Sequence, residues 1–326
     1  MTTAATTDLG SALTPVARLR ERLSMYGELA KSRLSLLVVL TAAVGYVMAA
    51  PADIDWWALA AVAAGVMLAA SAANALNQWL EIERDRCMSR TRNRPLPSGR
   101  MSVTHAIGFA TVCGVAGVAL LWWVNGYLAA TLAAANIALY VAVYTPLKVR
   151  STMNTVVGAV VGAIPPMIGW AAATGRLGAG AWVLAAVLFA WQMPHFLALA
   201  WMYREQYEAG GFRMLPAVDP TGRLTAAAAM LYSLALLPAA VTMTLLGHAG
   251  WWYAAGAGLL GLWLIHGAWR LAGDRSRANA RRLFLASVAY LPLLLGLMVV
   301  DRAGHDPVDE PTTRAAHVQP ETAEAL

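Results

Sequence analysis

Four side chains with polar oxygens recur along one stretch of the sequence at the spacing of a helix face. Asn74, Asn77, Glu81 and Asp85 are three, four and four residues apart, so a helix would align them on one side. Two carboxylates one turn, or about 6 Å, apart repel each other in a low-dielectric setting and call for a cation. Mg²⁺ suits them because it is often shared between carboxylates and substrate phosphates. The spacing predicts a metal on Glu81 and Asp85. The alternative is that these acids only pair with neighbouring arginines in a solvated loop.

An arginine-rich loop follows the acidic residues. Arg90, Arg92, Arg94 and Arg100 stand among two prolines and a glycine, which interrupt any helix. Guanidinium groups bind phosphate oxygens in pairs. Acids that hold a metal, followed by such a loop, are typical of a diphosphate site. Arginines beside a membrane span can also serve only to set its orientation, and that interpretation stays open.

Further polar residues lie near the ends of later apolar runs. Lys148 and Arg150 end one run, where they could meet the same diphosphate, and Glu205 and Tyr207 end another. His195 lies well inside the second of these runs. It could contact a flat acceptor molecule or bond to a backbone carbonyl that the preceding proline leaves free.

The composition places these residues in a membrane protein. Of 326 residues, 59% are hydrophobic and only 13% are charged, whereas soluble domains carry about 25% charged residues. Apolar runs of about 20 residues, enough to cross a bilayer, recur along the chain. We therefore predict an all-α, polytopic transmembrane bundle of about nine helices. The expected spans are 34–50, 56–78, 104–124, 126–145, 154–173, 180–202, 226–247, 250–272 and 283–300.

The basic residues predict the orientation of the bundle. With nine spans, all of the 24 lysines and arginines fall on one side except Arg176, Arg302 and Arg314. The basic side of a membrane protein is usually cytoplasmic, so we expect the N-terminus inside and the C-terminus outside. The net charge of +6 is explained by this asymmetry, and nucleic acid is not an expected partner.

The ends of the chain differ from its middle. Residues 1–30 are polar and predict a largely disordered cytoplasmic segment without a signal peptide, and 301–326 predict a disordered tail. The membrane domain is expected at 31–300. Cys87 and Cys113 are far apart and fit neither a disulfide framework nor a zinc site.

Three segments together resemble a known family. NQWLEIERD with MSRTRNRPLPSGR, the stretch that begins YTPLKVR, and WQMPHF followed by YREQYEAGG are similar to the intramembrane aromatic prenyltransferase superfamily, and to its haem-farnesylating branch in particular. The resemblance covers about residues 25–300. One departure is Gln206, where the family usually has Asp. This leaves Glu205 as the expected residue to hold a second metal, with Glu208 as the weaker alternative.

The resemblance implies a reaction and a set of roles. The reaction joins farnesyl diphosphate to a vinyl group of haem b with addition of water, in a bacterial plasma membrane, with Mg²⁺ as cofactor and a downstream haem-modifying enzyme as a possible partner. The implied metal ligands are Glu81, Asp85 and Glu205. The implied catalytic residues are these three with Asn77, Tyr144 and Tyr207, and the implied substrate-binding residues are Asn74, Arg90, Arg94, Lys148, Arg150 and His195.

Three other functions compete with this one. A prenyltransferase of quinone precursors would share the metal site but not the WQMPHF segment. An ion-coupled transporter would place acids in a membrane without needing the arginine-rich loop. A haem-binding assembly protein could use His195, but it would leave the acids unexplained.

Overall fold

The computed structural model describes residues 15–303 and is almost entirely helical. The predicted all-α fold class is confirmed. Within 15–303 the only extended pairing is an isolated bridge between Ala249 and Arg302. The helices in chain order are α1 Pro15–Leu29, α2 Ser32–Ala49, α3 Trp56–Leu80, α4 Ile82–Arg86, α5 Val103–Asn125, α6 Tyr127–Ala138, α7 Thr145–Leu147, α8 Asn154–Thr174, α9 Ala179–Met202, α10 Arg204–Ala209, α11 Leu215–Val218, α12 Arg223–Leu245, α13 Trp251–Gly273 and α14 Arg277–Val300.

Eight spans within the described residues are long and apolar enough to cross a membrane, counting α6 and α7 as one span, Tyr127–Leu147. The ninth expected span, α13, is as long as the other spans but is not among these eight. It contains polar residues such as His266 and Arg270. Its position nevertheless takes it from one end of the bundle to the other. Its first turn lies beside Arg302 at the end of α14, whereas the chain beyond its last turn contacts the end of α9 through a bond from Trp201 Nε1 to Arg275 O (2.8 Å).

Small residues let the spans approach closely. A Cβ atom at Gly45 of α2 would overlap the Pro166 carbonyl of α8, and one at Gly169 would overlap the Ala42 carbonyl. Such contacts replace the hydrophobic driving force that helices lack in lipid. The seam between α2 and α8 is therefore fixed by backbone contact.

The fourth span contains a π-helical segment. Gly126, with a φ of 89°, first separates α5 from α6. The segment Leu139–Tyr144 then joins α6 to α7. Thr145 Oγ1 donates to Tyr140 O at 2.9 Å and satisfies a carbonyl there. Such segments widen a helix locally and are frequent at functional sites.

The N-terminal prediction needs a correction. Residues 1–30 were expected to be largely disordered, but Pro15–Leu29 form helix α1. The helix is amphipathic, and the buried side chain of Leu29 packs against the bundle, which gives it a stabilising partner that sequence composition does not reveal. Residues 1–14 and 304–326 lie outside the described part of the chain, and the expected tail falls almost wholly there.

Candidate active site

The acidic residues meet in one cavity at an end of the bundle. Helix α3 ends at Leu80, and Glu81 adopts φ −106° and ψ 8° before α4 begins. The backbone N–H of Asp85 still donates to Glu81 O (2.8 Å), so the turn continues and both carboxylates keep facing inward. Glu81 is 5% exposed and Asp85 1%, and Asn77 is fully buried.

Each carboxylate is bound by a cation from elsewhere in the chain. Lys148 Nζ donates to Glu81 Oε1 at 2.8 Å. Arg94 Nη1 donates to Asp85 Oδ2 at 2.8 Å. Burial disfavours the Lys148 ammonium, but the Glu81 carboxylate outweighs this effect and raises the pKa of Lys148 above its usual value. The acids do not simply pair with neighbours in a solvated loop, because both are buried and the partner of Glu81 lies 67 residues away.

Aromatic rings and cations alternate along the wall of the same cavity. The Lys148 ammonium lies 4.6 Å from the centre of the Tyr144 ring. The guanidinium of Arg90 lies 4.6 Å from the ring centre of Tyr207 and 5.4 Å from that of Tyr203. Cation–π contacts of this kind hold both partners in place. The cations are thus oriented into the cavity before any ligand binds.

This polar cavity has a volume of about 220 Å³ and adjoins an apolar chamber of about 210 Å³. Both spaces are lined by Leu34, Tyr140, Tyr144 and Phe196, so these residues mark the junction. The rings of Tyr140 and Tyr144 are 5.2 Å apart there. A molecule with a charged head and an apolar chain fits this pair of spaces. The residues expected from the sequence that line the polar cavity are Asn77, Glu81, Asp85, Arg90, Arg94, Tyr144, Lys148 and Tyr207.

Glu205 and Arg150 lie elsewhere. Glu205 is exposed on α10 and lines neither cavity, whereas Tyr207 of the same helix lines the polar one. Side chains two positions apart in a helix point about 200° away from each other, so Glu205 and Tyr207 cannot both face the cavity. Arg150 is also exposed and lines neither space. The expected metal role of Glu205 and the expected substrate contact of Arg150 therefore have no support in the structure.

His195 packs between two spans. Its ring stacks on Trp191 at 5.1 Å between centroids and lies 4.8 Å from that of Phe284. Its Nδ1 is 2.9 Å from Ser287 Oγ. Neither cavity is lined by His195; the next residue, Phe196, faces both. The contacts of His195 are those of a residue that joins α9 to α14.

Sequence reasoning missed Lys31 and Tyr140. Lys31 lines the polar cavity, and its Nζ donates to Asn77 Oδ1 at 2.9 Å. Burial, followed by the charges of Arg94 and Lys148, lowers the pKa of Lys31 to about 7. A basic residue just before the first span is expected from membrane topology alone. The position of Lys31 in the sequence therefore did not indicate a role in the site.

The donor set suits a metal ion shared with a substrate. Among residues 15–303, no three His, Cys, Asp or Glu side chains come together as a possible metal cage. Glu81 and Asp85 alone supply two carboxylates, and Mg²⁺ commonly binds one or two carboxylates together with phosphate oxygens and water. The residues present therefore fit Mg²⁺ only when the ligand completes its coordination.

The structure is a polytopic helical bundle in which a polar cavity lined by acids and cations adjoins an apolar chamber. The model of the UbiA prenyltransferase family matches residues 38–288. The chain therefore belongs to the UbiA prenyltransferase family, and the resemblance expected from its motifs is confirmed.

Two curated relatives extend the comparison. Protoheme IX farnesyltransferase of Solibacter usitatus (strain Ellin6076) is 43% identical over 288 residues, which are 86% of this chain and 99% of that protein. The mitochondrial protoheme IX farnesyltransferase of Homo sapiens is 41% identical over 271 residues, which are 83% of this chain and 60% of that protein.

Solved structures share the fold. A UbiA homolog from Aeropyrum pernix K1 superposes with a TM-score of 0.67 at 17% identity, over 82% of this chain and 97% of its own. A UbiA homolog from Archaeoglobus fulgidus bound to GPP and Mg²⁺ gives a TM-score of 0.62 at 13% identity, over 84% and 99%.

Proposed function

We propose that this protein transfers the farnesyl group of farnesyl diphosphate to a vinyl group of haem b, with addition of water, to give haem O and diphosphate. The observation that carries the proposal is the pair of adjoining cavities: a polar one with Glu81, Asp85 and their cations, and an apolar one beyond the two tyrosines. Relatives at more than 40% identity bear the name protoheme IX farnesyltransferase, which supports the choice of acceptor and chain length.

The diphosphate belongs in the polar cavity. Glu81 and Asp85 would hold Mg²⁺ jointly with phosphate oxygens, and the ion would neutralise charge on the leaving diphosphate. Lys148 and Arg94, which bind the two carboxylates in the free protein, would then turn to phosphate oxygens. The Archaeoglobus fulgidus neighbour bound to GPP and Mg²⁺ supports the use of Mg²⁺ with a prenyl substrate in this fold.

The farnesyl chain belongs in the apolar chamber. Its first carbon would lie at the junction, beside Tyr140 and Tyr144. When the bond from this carbon to the diphosphate oxygen breaks, the allylic group becomes positively charged. The faces of the two rings stabilise positive charge at short range, while the apolar lining keeps water away from the chain.

The transfer step forms one carbon–carbon bond and breaks the bond between the farnesyl carbon and the diphosphate oxygen. The first carbon of the farnesyl group bonds to the terminal carbon of the vinyl group as diphosphate leaves. The cation that forms on the inner vinyl carbon takes the oxygen of one water molecule, and one proton leaves to a base such as the diphosphate. The protein must therefore admit a single water molecule to the acceptor side while it protects the allylic cation.

The setting follows from the fold and the family. The chain is a multi-pass membrane protein, and we place it in a bacterial plasma membrane. Both the prenyl chain and haem are poorly soluble in water, so they reach the site through lipid. The product is a modified haem, and a downstream haem-modifying enzyme is its natural recipient.

Purified protein tests this function directly. Farnesyl diphosphate, Mg²⁺ and haem b are incubated with the protein, and porphyrins are analysed by mass spectrometry. A parallel reaction offers 4-hydroxybenzoate or a naphthoate in place of haem b. We expect haem O and no prenylated aromatic acid. Prenylation of the acid without haem O would make the quinone-precursor alternative correct.

A further inference from the structure

The corner between α1 and α2 has an unusual backbone. Lys31 adopts φ 48° and ψ 51°, and within residues 15–303 it is the only residue other than glycine with a positive φ. This left-handed conformation costs roughly 1 kcal/mol or more for a residue with a Cβ. It persists only where the surroundings enforce it, and it often marks a functional position.

Buried amides of α3 enforce the corner. Gln78 Nε2 donates to Glu28 O (3.1 Å) and Leu29 O (2.7 Å). Asn74 Nδ2 donates to Ala30 O at 3.1 Å. The last carbonyls before Lys31 are therefore held by side chains from one face of α3. Asn74, which the sequence predicts to bind substrate, thus contacts this corner and also lines the apolar chamber.

The corner turns the Lys31 side chain toward Asn77. Because an ammonium can only donate, the 2.9 Å contact identifies the Asn77 oxygen as its acceptor. The other end of the amide, Nδ2, donates to Thr145 Oγ1 at 3.1 Å. Both ends of the Asn77 amide are thus engaged by protein groups, and its oxygen holds the Lys31 ammonium at the cavity.

Lys31 differs from two of the three other cations that line the cavity. Lys148 and Arg94 each have a carboxylate at 2.8 Å. Lys31, like Arg90, has no carboxylate within 4.0 Å among the described residues, and burial, followed by the charges of Arg94 and Lys148, lowers the pKa of Lys31 to about 7. The cavity is lined by four basic and two acidic side chains, so its charge balance favours an anion.

Both lysines of the sequence, Lys31 and Lys148, lie at this cavity. The 326-residue chain contains 22 arginines but only Lys31 and Lys148 as lysines, and both line this cavity. An ammonium is a compact charge with three donors that can follow a phosphate group as it departs, whereas a guanidinium offers a fixed fork.

We propose that Lys31 binds the diphosphate directly, as a third cation that the α3 amides hold in place. This assignment rests on the proposed prenyl transfer only in naming the ligand, because a diphosphate would bind here whatever the acceptor. On binding, one N–H of the ammonium donates to a phosphate oxygen while a second N–H continues to donate to the Asn77 oxygen.

Two neutral variants test the proposal with inorganic diphosphate and Mg²⁺, measured by isothermal titration calorimetry without farnesyl groups or haem. Lys31→Met removes the ammonium, and Lys31→Gln keeps a polar group near Asn77. We expect both to bind diphosphate about tenfold more weakly, the loss of one hydrogen bond to a charged group. Lys31→Arg should recover part of the affinity. Arg33→Met is the matched control, because Arg33 is exposed at the same corner, and it should bind as wild type.

A measurement on the unaltered protein guards against misfolded variants. An amine-acylating reagent is applied with and without magnesium diphosphate, and peptides with Lys31 and Lys148 are quantified by mass spectrometry. We expect Lys31 to be acylated and diphosphate to protect it. Wild-type affinity in both neutral variants, or acylation of Lys31 unaffected by diphosphate, would overturn the assignment. Neither outcome depends on whether haem is the acceptor.

Discussion

The ring of Tyr144 fills the space beside Gly158. A Cβ atom at Gly158 would come within 2.7 Å of Tyr144 Cε2, which is closer than van der Waals contact allows. The ring cannot move far the other way, because it meets Tyr140 and the Lys148 ammonium. The glycine on α8 therefore sets the position of an aromatic face at the junction of the two cavities.

Replacing that glycine tests the role of Tyr144. Gly158→Ala should displace the ring and lower kcat by roughly tenfold to a hundredfold, as small misplacements in active sites do. Gly108→Ala is the control, because among residues 15–303 no atom other than those of its chain neighbours and its own helix backbone lies within 4 Å of the added methyl group. A normal kcat in the purified Gly158→Ala protein would show that the position of the Tyr144 ring does not affect the catalytic step.

Neutralising either carboxylate should stop turnover. Glu81→Gln and Asp85→Asn keep side-chain length but remove the charge that would hold Mg²⁺, so we expect activity to fall by about a hundredfold or more. Glu83→Gln serves as control, since Glu83 is exposed and pairs with Arg86, which is exposed as well. Rates are measured across a range of Mg²⁺ concentrations, and wild-type rates in either buried-acid variant would refute the metal assignment.

Arg94 should contribute to substrate binding. Arg94→Ala removes a proposed phosphate contact and should raise KM for farnesyl diphosphate about tenfold, with a smaller effect on KM for haem b. The exposed Arg92 offers a control in the same loop, and Arg92→Ala should leave both constants unchanged. If Arg94→Ala also leaves them unchanged, Arg94 has no part in diphosphate binding.

His195 should matter more for stability than for the acceptor. His195→Ala loses the contacts with Trp191, Phe284 and Ser287, and we expect Tm in detergent to fall by about 5 °C or more. His266→Ala, at an exposed position on α13, should leave Tm unchanged. A raised KM for haem b with normal Tm would instead assign His195 to acceptor binding.

The orientation of the bundle remains a prediction with a simple test. A reporter fused after Val300 should lie outside the cytoplasm, and one inserted in the 90–100 loop should lie inside. The reason is that lysines and arginines concentrate at the end of the bundle that carries the candidate site. Both reporters on one side would contradict nine spans.

Local periodicity was sufficient to predict part of the site. Asn77, Glu81 and Asp85 share a helix face, and that relationship depends only on neighbours in sequence. Their convergence survives the break at Glu81 because Asp85 still bonds back to it. Span positions were predictable for the same reason, since a bilayer sets the length of each apolar run.

Contacts between distant segments were beyond the reach of the sequence. The sequence predicts that Glu205 acts like the first acids. However, α9 ends at Met202 and Tyr203 adopts a φ of −116°, so α10 is a separate helix that turns Tyr207, not Glu205, toward the cavity. Lys31 reaches Asn77 across 46 residues through a left-handed corner. Neither the helix break at Tyr203 nor the corner at Lys31 contains a glycine or proline that would indicate it in the sequence.

The two ion pairs that hold Glu81 and Asp85 also bear on the order of binding. Each carboxylate already has a full positive charge at 2.8 Å, so the free protein presents no net negative charge to a lone divalent ion. A magnesium–diphosphate complex brings both the ion that the acids need and the anion that releases Lys148 and Arg94. We therefore expect the complex to be the species that binds, and initial rates should follow its concentration rather than that of free Mg²⁺.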